Sequence, residues 1–196
     1  MPTYTQLLEN KAYNIFPEDD DYMEKLLKVP QMFNSFGEAM DMFLVNHGYT
    51  EEVDNIDRKV SFITDHFRQS DIKPPRNIRK WFTEHKRIER KTAFQFCFAF
   101  GLTDEGANDF FRRVLLQRGF DCHDVEEIVL FYGLRHGLSY TYISQLISQI
   151  PDISQGAINF EADTIYSFEI ADQIERLDSA DELIAFINSH IEQFAY

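Results

Sequence analysis

The sequence predicts an all-α fold, a compact multi-helix bundle with a helix-turn-helix-like segment, and three observations carry that prediction. Apolar residues recur at three- and four-residue spacing along most of the chain, as helices that bury one face require. No stretch alternates convincingly between apolar and polar residues at period two. One kind of junction recurs as Asn46-His47-Gly48-Tyr49-Thr50, Ala99-Phe100-Gly101-Leu102-Thr103, Gln117-Arg118-Gly119-Phe120-Asp121 and Arg135-His136-Gly137-Leu138-Ser139. Each glycine can take the left-handed conformation that ends a helix. The apolar residue then folds back on the finished helix, and Thr, Asp or Ser caps the next one. Helix ends are therefore expected at Gly48, Gly101, Gly119 and Gly137, and the unequal intervals between them fit crossed or antiparallel neighbours, not a solenoid.

Residues 1–35 read as an acidic N-terminal arm, partly extended, marked by Asp19-Asp20-Asp21 and Pro30. A helical core is expected over residues 36–151. Phe36, Met40, Phe43 and Leu44 give its first helix, and Val53, Ile56, Val60, Ile63 and Phe67 a second from Thr50 to about Arg68. Proline suits a first helical turn, so a third starts at Pro75 and turns Ile78, Trp81, Phe82 and His85 inward. Phe94, Cys97, Phe98 and Leu102 mark the next, followed by Phe110, Phe111, Val114 and Leu115. Ile128, Phe131, Tyr132 and Leu134 define another, and Ile143, Leu146, Ile147 and Ile150 the last before Pro151. Phe120 with Val125, and Leu138 with Ile143, flank the proposed caps Asp121 and Ser139 as hydrophobic staples. Residues 152–196 form a C-terminal helical appendage. Within it, 157–168 admits a hairpin, while Ser179-Ala180-Asp181-Glu182 is a capping box ahead of Leu183, Phe186, Ile187 and Ile191.

Composition narrows the class. Apolar residues make up 44% and aromatics 15%, with nineteen Phe, which is too hydrophobic for a disordered chain. No apolar run approaches the ~18 residues of a membrane span. The opening MPTYTQLLEN lacks the order of a signal peptide, so a cytoplasmic protein with no membrane role is expected. Cys97 and Cys122 form no CxxC pair and read as two buried thiols in a reducing compartment.

Charge is the feature that points toward function. The chain carries −14 overall, yet residues 58–91 hold eleven Lys and Arg against four acids, a net of +7. Residues 1–57 and 136–196 are each at −9. Phosphates need cationic partners, and a confined basic block can meet an anion while the remaining surface repels casual contact. Within 73–91, Arg76, Lys80 and Arg87 fall on one side of the expected helix, with Arg79, Lys86 and Arg90 beside them. Candidate nucleic-acid contacts are Arg76, Asn77, Arg79, Lys80, Lys86 and Arg87, with Arg76 and Asn77 nearest any base edge. A solvated face balanced by the protein's own acids is the competing reading. Glu18, Asp19, Asp20 and Asp21 serve solubility in the first reading, and as the alternative are candidate contacts to a basic protein.

Residues 58–102 resemble the helix-turn-helix of lambda-repressor-like (XRE-type) regulators. The resemblance implies a supporting helix Val60–Gln69, a recognition helix Pro75–Glu84 above Trp81, and a following helix Lys91–Phe100. The turn Ser70-Asp71-Ile72-Lys73-Pro74 is longer than in that family, and Phe67 stands where it places a small residue. From Arg90 to Tyr140, the segments CFAFGL, FFRRV, RGFDCHDVEE and YGLRHGLSY are similar to an uncharacterised group of Firmicute proteins associated with mobile elements. Members of that group look longer at the C-terminus, which implies a short form or a fragment.

Catalytic motifs are sparse. The sequence has no phosphate-cradling glycine loop, no HExxH and no nucleophile elbow. Cys122-His123 beside Asp124 and Glu127 could form a metal or thiolate site, but Asp121 and Asp124 also suit a helix N-terminus. Arg118–His123 and Arg79–His85 resemble the arginine–histidine spacing of HEPN-type ribonucleases, a spacing that chance also supplies. The expectation is a non-enzymatic regulator that binds nucleic acid through a basic helix, with no cofactor and no metal. An acidic protein-binding adaptor or nucleic-acid-mimic inhibitor from a mobile element is the alternative.

Overall fold

The computed structural model describes residues 36–84, 86–150, 167–190 and 194. About two-thirds of them are helical and none lies in a strand. The elements are α1 (Phe36–Asn46), α2 (Ile56–Gln69), α3 (Ile78–Thr83), α4 (Arg90–Ala99) and α5 (Asp104–Asp109). A π turn (Phe110–Val114) continues α5, and α6 (Val125–Arg135), α7 (Tyr140–Gln149), α8 (Ser167–Glu175) and α9 (Ala180–Ser189) follow.

Two helices make the centre. In α6 every residue from Glu127 to Leu134 is buried, and in α4 so are Ala93, Phe94 and Phe96 through Ala99. A helix enclosed on all sides needs neighbours all round. α4, α5, α7 and α8 pack on α6, while α2 packs on α3 and α4, and α1 packs on the π turn. Phe96 stacks on Phe100 at 4.3 Å and on Phe110 at 4.8 Å, joining α4 to the π turn through aromatic faces. Gly133 lets α7 approach: a Cβ there would lie 2.4 Å from Ile143 Cγ1. Ile170, Ile174, Leu183, Phe186 and Ile187 belong to this same core, so the C-terminal helices share it.

Three of the four glycine junctions behave as the sequence implies. Gly48, Gly101 and Gly137 have positive φ, and the next residue's N–H returns to the helix: Tyr49 to Leu44, Leu102 to Cys97 and Leu138 to Gly133, at 2.9–3.0 Å. Thr103, Ser139 and Ser179 cap their helices through N–H groups of Gly106, Tyr142 and Glu182. Gly119 departs from the pattern. The helix before it ends earlier, and the left-handed residue is Leu116, at φ 51°. The π turn displaces the exit: Leu115 N–H bonds to Phe110 C=O at 3.1 Å and Gln117 N–H to Phe111 C=O at 2.8 Å. Gly119 is small for a different reason, since a Cβ there would lie 2.4 Å from Asn108 Oδ1. The fourth junction of the recurring kind is at Asp71, with φ 56° and Ile72 N–H returning to Phe67 C=O at 2.8 Å. Aspartate tolerates that conformation, so the turn forms without glycine.

Other boundaries also moved. Asp124, not Asp121, caps α6 by accepting from Glu127 N–H, which puts the Phe120–Val125 pair out of staple register. Asn55, not Thr50, caps α2, and Val53 is exposed in the preceding loop, where Tyr49 Oη donates to Glu52 C=O at 3.0 Å. Leu102 lies past the end of α4, although it is buried. The possible hairpin over 157–168 falls mostly outside the described residues, and only helical Ser167 and Phe168 are described.

Candidate nucleic-acid interface

The basic segment is positioned from beneath by apolar side chains. Pro75 does not open a helix: Arg76 and Asn77 form a turn, Asn77 takes the cap position, and α3 covers only Ile78–Thr83. Asn77, at φ −108° and ψ 17°, is outside helical geometry, so the first helical residue is Ile78. Ile78 and Trp81 bury α3 against α2, while Phe82 is only half-buried. Lys59 of α2 holds that corner. Its Nζ donates to Asp41 Oδ1 at 2.6 Å and lies 4.5 Å from the centre of the Phe82 ring. The α2–α3 connection, Ser70–Asn77, is longer than a compact helix-turn-helix turn, and α3 at six residues is roughly 9 Å long.

The six nominated residues separate into groups. Arg76, Lys86 and Arg87 are exposed and have no ion-pair partner among the described residues, and the same holds for Lys73 and Lys91. Arg79 pairs with Asp57 across the α2–α3 contact, and Lys80 pairs with Glu84 at 3.3 Å. Asn77 is half-buried, with no side-chain capping bond. Lys86 N–H bonds to Lys80 C=O at 3.2 Å, which folds the chain after α3 back beside the helix. The fold therefore leaves three nominated cations open and partly neutralises two. Glu18, Asp19, Asp20, Asp21 and His85 lie outside the described residues.

Arg90 has a different role from its neighbours. Its guanidinium forms a two-point pair with Glu127, one bond being Nη2 to Oε2 at 2.6 Å. It also donates to Arg118 C=O at 3.1 Å and Gly119 C=O at 2.6 Å, over the ring of Phe111. Glu127, 5% exposed, accepts in addition from Asp121 N–H at 2.7 Å. The hydrogen bonds to Glu127 outweigh burial and hold Arg90 charged to higher pH than usual. This clamp joins the start of α4, the loop 116–123 and the first turn of α6. Arg135 makes a second one, to Asp104 at 3.0 Å and Glu175 at 3.2 Å. Sequence reasoning missed both, because each pairs residues far apart in the chain, and periodicity says nothing about which cation meets which acid.

The same geometry reassigns the Cys122 region. Burial pushes the Cys122 thiol up, and nearby Asp121 and Glu127 push it further, so it stays protonated near neutral pH. Burial alone would raise Asp121, but the His123 N–H bond and Arg118 together hold its carboxyl below the usual range. Glu127 is committed to Arg90. No group of three or more potential metal ligands occurs among the described residues. Arg118 and His123 lie in the loop before α6, not on one continuous helix, and Arg118 pairs with Asp121 at 2.5 Å. Among the described residues, no helix is long and apolar enough to cross a membrane. No family model, curated protein or solved structure matches this chain.

Proposed function

We propose that this chain is a non-enzymatic regulatory protein, helix-turn-helix-like in its α2–α3 pairing, that binds nucleic acid through exposed cations of residues 73–91. One observation carries the reading: Arg76, Lys86 and Arg87 are open to solvent and lack acidic partners among the described residues, in a segment of +7. Unpaired cations of this kind are what phosphates require. Arg79 and Lys80 contribute less, because Asp57 and Glu84 already screen them. Any base preference would come from Arg76 and Asn77 at the start of α3.

The test is a fluorescence titration with mixed-sequence duplex across a range of salt. Each lost phosphate contact should lower the logarithmic salt slope by about 0.9, so Arg76→Gln with Arg87→Gln should lower it by about 1.8. Lys80→Gln alone should change it less. Undetectable binding at low salt and tens of micromolar protein sinks the reading. The acidic adaptor or nucleic-acid-mimic inhibitor, with Glu18, Asp19, Asp20 and Asp21 as contacts, then becomes the better account.

A further inference from the structure

We infer that the phosphate-binding surface is composite, taking in Arg112 and Arg118 as well as Lys86, Arg87 and Lys91, and that its ligand is a nucleic-acid duplex held by its backbone. This rests on the reading above and deepens it. Arg112 and Arg118 come from residues 92–135, a stretch with a net charge of −3 that the charge pattern alone sets aside. The Arg90 clamp brings that stretch to the basic segment: its two Nη atoms bond the carbonyls of Arg118 and Gly119, so the loop sits against the first turn of α4, where Lys91 is exposed. Arg112 arrives at the same point from the π turn, with Nε and Nη2 each 3.4 Å from where a Gly119 Cβ would stand.

Arg112 is exposed and has no ion pair among the described residues. Arg118 pairs with Asp121 through Nη1, but its side chain is 65% exposed and a guanidinium carries five donors, so most of its capacity is free. The local acids Glu89, Asp121 and Asp124 oppose the five cations Lys86, Arg87, Lys91, Arg112 and Arg118. Two observations favour a duplex over a single strand. Single-strand sites rely on exposed aromatic platforms, but here Trp81, Phe94 and Phe111 are buried and Phe82 and Phe120 half-buried. The cations are spread over two separate segments, which suits phosphates displayed along a rigid backbone. With α3 short and anchored by Ile78 and Trp81, such contacts position a duplex without reading its bases.

The experiment titrates three proteins, wild type, Lys86→Gln/Arg87→Gln and Arg112→Gln/Arg118→Gln, against two unrelated duplexes and an oligothymidine strand. These are exposed positions, and an unchanged helical circular dichroism spectrum verifies the fold of each variant. The Arg112/Arg118 variant should lose between about 0.9 and 1.8 from the salt slope, because Asp121 partly screens Arg118, by the same factor on both duplexes, and the wild type should prefer duplex to single strand. A slope unchanged in that variant but reduced in the Lys86/Arg87 one overturns the composite surface and leaves the basic-segment reading standing. Tighter binding to oligothymidine overturns the duplex assignment. No binding by the wild type overturns both.

Discussion

Arg87 and Arg90 belong to the same basic stretch, yet the fold treats them differently. Arg90 is fixed to Glu127 and two backbone carbonyls, whereas Arg87 stands in solvent with no described partner. Lys59 and Arg135 side with Arg90, each held by a carboxylate from another helix, while Arg76, Lys86 and Lys91 side with Arg87. Clamped cations are part of the architecture, because removing one leaves a poorly solvated acid behind. Open cations cost the fold nothing and are available to a ligand. A count of basic residues sums the two groups, and exposed but paired cations such as Arg79, Lys80 and Arg118 stand between them.

The largest expected effect comes from breaking the clamp. Arg90→Ala should destabilise the protein by about 3–5 kcal/mol, the range for stranding a buried charge, and Glu127→Ala should do the same. Replacing both should cost less than the sum of the single changes, which a double-mutant cycle in denaturant will measure. Near-additivity would mean the two residues act separately and would erase the distinction between clamped and open cations.

Gly119 is the next point of attack, since its carbonyl is one of the Arg90 acceptors. Gly119→Ala places a Cβ against Asn108, whose Oδ1 accepts from Phe120 N–H at 3.3 Å, and should cost about 1–3 kcal/mol. The adjacent strain points the other way. Leu116 holds a left-handed conformation that glycine adopts readily, so Leu116→Gly should be neutral or stabilising by up to about 1 kcal/mol. Chemical denaturation resolves both signs.

A pH effect should appear at Asp121, next to the Arg90 clamp. The folded-state pKa of Asp121 lies below its ordinary value, so the stability it contributes is complete above the unfolded pKa, near 4. That contribution is lost as pH falls through the lower, folded value. Denaturation curves between about pH 5 and 2 should fall less steeply with acid in Asp121→Asn than in the wild type.

The smallest stability effect is expected at the open cations. Lys86→Ala and Arg87→Ala should each change stability by less than about 0.5 kcal/mol, as exposed substitutions do. A larger loss at either would show that it has a structural partner and would move it to the clamped group.

Sequence by itself determined the helices and most of their ends. Spacing of apolar residues located α1, α2, α4, α6, α7 and α9, and glycine at 48, 101 and 137 ended three of them, because both signals are local backbone and side-chain chemistry. Ser179 and Glu182 were legible as a cap for the same reason. Tertiary packing decided the rest. It shifted a helix exit to Leu116, let Asp71 do the work of a glycine, and reserved Gly119 for close contact with Asn108. The candidate site divides along the same line: its basic segment is visible in composition, but which of its cations remain open is not. Glu127 reaches Arg90, and Asp57 reaches Arg79, from positions tens of residues away in sequence. Electrostatic pairing depends on distance in space, and distance in space exists only once the helices have packed.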